Sequence, residues 1–371
     1  MTSTHSEEFA RFFLPGPTAV RRELLEAMLG TMMGHRTPEM EAIMERIQPG
    51  LRHAFRTERP VYVAPSSGTG MMEMAIRNVA RRRVLSLVNG AFSERFATIA
   101  ERCGLEVDRV HVEWGENHTP VLLAAALAGG DYDTITICHS ETSTGVLNPV
   151  GELAKVAREH DAMVCVDAVS SMAGAPFETD EWGVDVVVTG AQKALALPPG
   201  LGFAVVQERV LERAAGNHTR GLYFDVHAFE NNIVKSQTPN TPAVSLMYAA
   251  AVQAEAILSE GIENRWARHQ AMADRLYAWV AERRDRLGLG ILAPEGYRSP
   301  TVTCVTLPDG IQGTRVCAAM RARGWIMASG YGKMKEDMIR IGHMGDHTVA
   351  ELEALLDVLD DVLEEAVASH G

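Results

Sequence analysis

Residues 184–200 read VDVVVTGAQKALALPPG. Val184-Asp-Val-Val-Val188 is a short run of β-branched residues, closed by Thr189-Gly190 and followed at once by Gln192-Lys193. A run so short and so apolar predicts a strand buried on both faces, the habit of parallel sheets. Lys193 then falls just beyond the strand's carboxyl end, where open α/β sheets bind their ligands. The same alternation extends outward. Val61–Ala64, Val84–Val88, Val107–Val112, Thr134–Cys138, Ala162–Val166 and Gly202–Val206 are further apolar runs, with helical spacing in Ser93–Arg102 and Gly151–His160 between them. The reading is an α/β protein with a mostly parallel central sheet.

From about Thr241 the pattern changes. Long helical spacings cover Val244–Glu260 and Glu263–Arg286, followed by a strand at Thr301–Leu307, a helix at Gly313–Arg323 and a strand at Met338–Ile341. The last helix carries Leu352, Leu355, Leu356, Leu359, Val362 and Leu363 on one face. The expected division is an N-terminal segment (1–20) packing on the small domain, a large domain over 21–243, and a linking helix with a smaller C-terminal α+β domain over 244–371.

Composition narrows the class. With 371 residues, 46% hydrophobic and 22% charged, the chain is long enough for two cores. A net charge of -13 leaves no basic stripe, so nucleic acid is not an expected partner. No apolar run reaches the ~18 residues of a membrane span. The start, MTSTHSEEFARFF, lacks a basic opening before a long apolar stretch, so no signal peptide is expected. Cys103, Cys138, Cys165, Cys304 and Cys317 include no C-x-x-C pair, which fits free thiols in a reducing compartment. The expected location is the cytoplasm, and no metal site is expected.

Several strand ends carry polar residues that folding alone does not demand. Met163–Val166 runs into Asp167, Val184–Val188 leads to Gln192-Lys193, and Thr134–Cys138 runs into His139-Ser-Glu141-Thr142. Val61–Ala64 runs into Ser66-Ser67-Gly68-Thr69-Gly70 and a helix. An amine, a carboxylate and a glycine-rich cradle therefore meet on one sheet edge, a set that suits pyridoxal 5′-phosphate. That cofactor needs a lysine for a Schiff base, a carboxylate beside its pyridine nitrogen and amide groups at a helix N-terminus for its phosphate. Asp167 and Lys193 lie on separate strands and can face opposite ends of one planar ring.

The ordered set FLPGPT (13–18), GHR (34–36), SSGTG (66–70), HSETSTG (139–145), DAVSS (167–171), EWGVDVVVTGAQK (181–193) with PPG, and IRIGHMG (339–345) resembles the class V, fold-type I pyridoxal-phosphate aminotransferases. Within that class the alanine–glyoxylate and serine–glyoxylate (serine–pyruvate) enzymes are most similar, from about Phe13 to the C-terminal helix. The resemblance implies a large domain that binds the cofactor and a homodimer with shared active sites. Lys193 would carry the cofactor and shuttle a proton, and Asp167 would pair with the pyridinium. Ser67, Gly68, Thr69 and Gln192 would hold the phosphate, with Thr241 reaching it from the neighbouring subunit. Phe92 would stack on the ring where many relatives have tryptophan, Val169 would pack on the other face, and Thr142 would lie near the phenolic oxygen. Arg340 and Gly16 would bind the substrate, the arginine gripping its α-carboxylate. Relatives place a tyrosine at the position of Thr238, so that phosphate contact is either a shorter hydroxyl or absent.

Other residues keep two readings. His139 either orients its loop or takes part at the site, His35 and Arg36 either approach the site or cap a loop, and His343 reads as structural. The implied reaction is ping-pong transfer of an amino group from alanine or serine to glyoxylate or pyruvate. Aspartate–glyoxylate and pyridoxamine–pyruvate transamination have similar motifs. A lyase of the cysteine desulfurase type needs a cysteine on the loop Ala328–Asp337, which has none. A nicotinamide oxidoreductase needs a G-x-G-x-x-G turn, which is missing.

Overall fold

The strands, in chain order, are Val61–Ala64 (β1), Arg83–Val88 (β2), Glu106–His111 (β3), Thr134–Cys138 (β4), Ser140–Glu141 (β5), Val146–Leu147 (β6), Met163–Asp167 (β7), Val186–Gly190 (β8), Gly202–Val206 (β9), Gly290–Ile291 (β10), Val302–Thr306 (β11), Ala328–Ser329 (β12) and Met338–Gly342 (β13). They belong to a computed structural model that describes residues 11–218 and 220–369. The first ten residues of the expected N-terminal segment lie outside that range, as do the last two of the chain.

Seven strands form the central sheet in the order β1-β9-β8-β7-β4-β2-β3. From β8 to β3 all neighbours pair parallel, whereas β9 is antiparallel to both β8 and β1. The mostly parallel sheet read from the sequence is therefore present. The reversal at β9 has a simple cause: turns, with no crossover helix, connect Gly190 to Gly202, and a parallel return requires a crossover.

Strand periodicity sorts side chains to the two faces. Val61, Val63, Val164, Val166, Val187, Phe203 and Val205 enter one apolar core, together with Ile43, Met44, Ile47 and Leu51 of the helix Pro38–Phe55. Tyr62, Ala64, Met163, Cys165, Val186, Val188, Ala204 and Val206 enter the opposite core, with Met71, Met72, Ala75 and Ile76 of the helix Gly68–Val79. Both faces being covered explains the continuous apolar runs. The helix Val244–Glu260 packs on the first core through Met247, Ala250 and Ile257. It crosses Pro38–Phe55 so closely at Gly50 that a Cβ there would stand 2.0 Å from the Ala254 carbonyl oxygen.

A second, antiparallel sheet, β10-β11-β13-β12, carries the helices Ile262–Leu287, Gly313–Ala322 and Val349–Ala368. The C-terminal helix buries Leu352, Leu355, Leu356, Leu359, Val362 and Leu363, the stripe its spacing predicts. Phe13 joins this core. Its N–H donates to the Ile326 carbonyl at 2.8 Å, and its own carbonyl accepts from Gly342 N–H at 2.8 Å.

Buried charges tie the two bodies together. Arg265, 2% exposed, bridges Glu260 at 2.7 Å and Asp346 at 2.9 Å and donates to the Ala194 carbonyl at 2.7 Å. Arg21 reaches Asp346 at 2.6 Å, and Arg268 reaches Glu260 at 2.8 Å. Among the described residues no helix is long and apolar enough to cross a membrane.

Candidate active site

The carboxyl ends of the parallel strands bring the motif residues together. Cys138 at the end of β4 pairs in register with Asp167 at the end of β7, and Asp167 pairs with Val188 of β8. Beyond β1, Ser67 is the N-cap of the helix Gly68–Val79, its hydroxyl accepting from Gly70 N–H at 3.3 Å. Gly68 is pressed against the Asp167 loop: a Cβ there would lie 2.4 Å from Val169 Cγ2. A Cβ on Gly190 would lie 2.8 Å from Gln192 Oε1 and 3.3 Å from Gly68 N. Helix N-terminus, Asp167 loop and the end of β8 thus share one edge, where the helix begins with amides that have no partner within it. Ser67 and Thr69 are exposed and Gly68 is buried.

Lys193 and Asp167 are both buried, 9% and 3% exposed, and neither forms an ion pair among the described residues. Lys193 Nζ donates to the Pro15 carbonyl. Burial, and secondarily the Arg340 guanidinium, lower its pKa to about 8. Asp167 Oδ1 accepts from Val169 N–H at 2.8 Å, while among the described residues Oδ2 has only the Cys138 thiol at 3.6 Å. Burial raises the Asp167 pKa to about 7, against the pull of the Val169 N–H and with a further push from Glu141. A buried carboxylate with one oxygen so poorly satisfied asks for an external cationic donor.

Arg340, on β13 of the second sheet, projects to the same edge. Its Nε donates to the Ser329 carbonyl at 2.9 Å and its Nη1 to the Thr142 carbonyl at 3.4 Å, and its guanidinium stacks 5.3 Å above the Tyr331 ring. Tyr331 lies 5.5 Å from the Phe92 ring, and Arg95 covers Phe92 at 4.8 Å. Thr142 is buried, its hydroxyl 2.5 Å from that of Ser170. Gly16, at φ +107, lies over Lys193, and a Cβ would approach within 2.4 Å of the lysine Cδ. Lys193, Asp167, Gly68, Val169, Gln192, Thr142, Phe92, Arg340 and Gly16 therefore form one neighbourhood.

Thr241 is exposed on this chain and has no contact with that neighbourhood among those described. The Thr238 hydroxyl donates to the Asn240 carbonyl at 2.7 Å, so it is used within its own loop. Arg36 braces that loop, donating to the Thr238 carbonyl at 2.7 Å and the Pro239 carbonyl at 3.2 Å. His139 is wedged between Phe177 and Trp182 with Nδ1 2.9 Å from the Ser171 hydroxyl, and burial lowers its pKa to about 3. It is a packed, neutral histidine that orients its loop. His343 is buried, with Nε2 2.8 Å from the Thr303 hydroxyl.

Sequence reasoning passed over three neighbours. Glu141 is completely buried, and its carboxylate collects the amides of Phe92, Ser93 and Ser143. Tyr331 separates Phe92 from Arg340, and Arg95 stands beside Thr69 at 3.5 Å. The position of Glu141 inside HSETSTG was the one available signal. Nothing local in the sequence pairs it with residue 92.

Pyridoxal phosphate fits this edge: Asp167 has an oxygen awaiting a cation, Lys193 has a buried amine, and the helix start has free amides where a Cβ at Gly68 would intrude. The model of the aminotransferase class-V family matches residues 21–355. The chain is 32% identical over 349 residues to the L-aspartate–glyoxylate aminotransferase of Paracoccus denitrificans, covering 91% of this chain and 87% of that one. It is 31% identical over 362 residues to the serine–glyoxylate aminotransferase of Methylorubrum extorquens, covering 93% and 89%. Among solved structures, the alanine–glyoxylate aminotransferase of a Nostoc species superposes with a TM-score of 0.90 at 29% identity, covering 98% of each chain. Fold, site and relatives agree that the chain is a class-V aminotransferase that uses pyridoxal 5′-phosphate.

Proposed function

We propose that the enzyme moves an amino group from a small amino acid, alanine or serine, to a small 2-oxo acid, glyoxylate or pyruvate, in a ping-pong reaction. The observation that carries this is the pair of buried, unpaired groups at neighbouring strand ends, Lys193 and Asp167. Glyoxylate recurs in the names of the three relatives while their amino donors differ, which supports a short 2-oxo acid as acceptor.

When bound, pyridoxal phosphate supplies a carbonyl that takes up the amino group and a ring that withdraws electrons from the substrate α-carbon. Lys193 would hold the cofactor through Nζ and would be the base that moves the proton at the substrate Cα. Burial, which lowers its pKa to about 8 in the free chain, favours the neutral amine that such a role needs. Asp167 binds the protonated pyridine nitrogen through its underused Oδ2. Ser67, Gly68, Thr69 and Gln192 bind the phosphate, Phe92 and Val169 enclose the ring, and Thr142 stands at its phenolic oxygen. Arg340 grips the substrate α-carboxylate beside Gly16. Its guanidinium is anchored by carbonyls, with no acidic partner among the described residues, so its charge remains free for an anion.

A shared homodimer site fits the exposed Thr241 and the exposed apolar side chains of nearby segments, Leu29 at 84%, Leu222 at 88% and Val234 at 74%. The expected domain limits, 21–243 and 244–371, and a cytoplasmic location complete the proposal. Aspartate–glyoxylate transfer is the second reading, favoured by the Paracoccus relative. A desulfurase-type lyase is not favoured, because Cys304 is buried against the Ser143 carbonyl at 3.7 Å and the loop Ala328–Asp337 has no thiol.

The test is a half-reaction panel. The purified holoenzyme is mixed with single amino acids, and loss of its visible absorbance is followed. Fast bleaching by alanine or serine, reversed by glyoxylate or pyruvate, is expected. Bleaching by aspartate alone would establish the second reading, and bleaching by none would refute both.

A further inference from the structure

Glu141 ends β5 with no exposed surface, and no arginine, lysine or histidine pairs with it among the described residues. Its carboxylate is nevertheless well supplied with donors. Oε2 accepts from Phe92 N–H at 3.1 Å, Ser93 N–H at 2.9 Å and the Ser93 hydroxyl at 2.9 Å. Oε1 accepts from Ser143 N–H at 3.1 Å and the Ser143 hydroxyl at 2.6 Å. Phe92 and Ser93 belong to the first turn of the helix Ala91–Arg102. Helix starts leave amides unsatisfied and favour negative charge, which is normally met by the N-cap side chain. Here the N-cap is Gly90, which has no side chain to offer. A Cβ at that position would lie 2.4 Å from the Glu141 carboxyl carbon. The cap is imported from a distant strand, and glycine leaves it room.

The other end of the same residue builds the turn that faces the substrate. The Glu141 carbonyl accepts from Thr144 N–H at 3.1 Å and Gly145 N–H at 2.8 Å, closing a tight turn around Thr142. The Thr142 carbonyl accepts from Arg340 Nη1 at 3.4 Å. One buried carboxylate thus joins the helix that carries Phe92 to the turn that carries Thr142 and receives Arg340.

We propose that Glu141 is a positioning residue for transamination: it caps the Phe92 helix from outside and thereby sets where Phe92 stands relative to Thr142 and Arg340. The inference rests on the reading of Phe92 as the ring-stacking residue. A carboxylate suits the place because all five groups are donors. A glutamine would turn its own NH2 toward some of them and leave donors unpaired.

The experiment is a cycle of Glu141→Gln, Phe92→Ala and the double variant in the holoenzyme. Three quantities are read: kcat and KM, the visible circular dichroism of the bound cofactor, and the melting temperature. Glu141→Gln is expected to lower kcat by about tenfold or more, as a small misplacement near the reacting atoms does, and to shrink the dichroism per bound cofactor. In the Phe92→Ala background the same change should alter kcat by less than about twofold, because the group it places is gone. Ser143→Ala, a milder cut of the same link, should act in the same direction and carries the test if Glu141→Gln does not fold. The proposal is overturned if Glu141→Gln lowers only the melting temperature, or if its loss of kcat is undiminished without Phe92. A Phe92→Ala enzyme with unaltered kcat and dichroism would instead strike down the assignment of Phe92 itself.

Discussion

Two clusters of charge, one around the buried Arg265 and one at Asp167 and Lys193, have opposite character. Around Arg265 every charge meets its opposite: Glu260 and Asp346 sit between Arg265, Arg268 and Arg21, all at 2.6–2.9 Å. Burial pushes Glu260 and Asp346 up, and the arginines outweigh it, leaving both carboxyls below the usual range. At the strand ends, burial meets no such opposition. The Asp167 pKa rises to about 7 and that of Lys193 falls to about 8. The same cost, taking a charge out of water, is offset within the chain in the first cluster and left for a ligand in the second. Paired burial serves the fold, and unpaired burial marks where the fold awaits a partner.

Substitutions can break this contrast, beginning with the largest effect. Lys193→Ala should reduce kcat by about a thousandfold or more and abolish the visible cofactor band, while the fold, read by far-ultraviolet dichroism, persists. Retained turnover would place the essential amine elsewhere. In the paired cluster, Arg265→Met removes the buried guanidinium that Glu260 and Asp346 share, leaving each one arginine, and should cost about 1–3 kcal/mol of stability. A clear fall in melting temperature with a far smaller change in kcat would be seen, and an unchanged melting temperature would show the network to be ornamental. Arg340→Ala removes charged hydrogen bonds to the substrate and should raise KM for carboxylate substrates by about 10- to 100-fold with little change in kcat. Equal KM values would exclude the clamp.

The smallest effect has the opposite sign. In the cofactor-free protein Asp167→Asn should stabilise the fold above pH 7. The carboxyl titrates near its ordinary value of 3.8 when unfolded and at about 7 when folded. Between those values the folded state keeps a proton that the unfolded state has lost, so stability falls as pH rises through the window and the penalty is complete above it. Asparagine does not titrate, so the gain should fade as pH is lowered toward 4. Melting curves of both proteins across that range give the answer. Destabilisation at pH 8 would mean that Asp167 has a partner even without cofactor.

The parts of this arrangement that were legible in the sequence are those with local signatures. β4, β7 and β8 announce themselves as short apolar runs, and each leads to a residue of the site, Thr142, Asp167 or Lys193. Leu352 to Leu363 show their buried stripe by spacing alone. What was not legible is long-range pairing. No periodicity links Glu141 to Phe92, or Arg340 to Tyr331. β9 reads like its neighbours, since its reversal depends on the turns before it and on no residue within it. Thr238 was left undecided because a hydroxyl's partner depends on loop shape, here bent back to Asn240.

The stretch from Phe13 to Thr18 joins the second sheet to the segment that carries the reactive lysine. It pairs with the second sheet through Phe13, covers Lys193 with Pro15 and Gly16, and fastens to the Gln192 carbonyl at 3.0 Å and the Met344 carbonyl at 3.0 Å through Thr18. A recombinant version shortened past Thr18 would keep the apolar cores almost whole, losing Phe13 from that of the second sheet, yet leave the reactive amine uncovered on one side. The practical boundary of the enzyme therefore precedes its first helix, and fusion partners belong upstream of this strap.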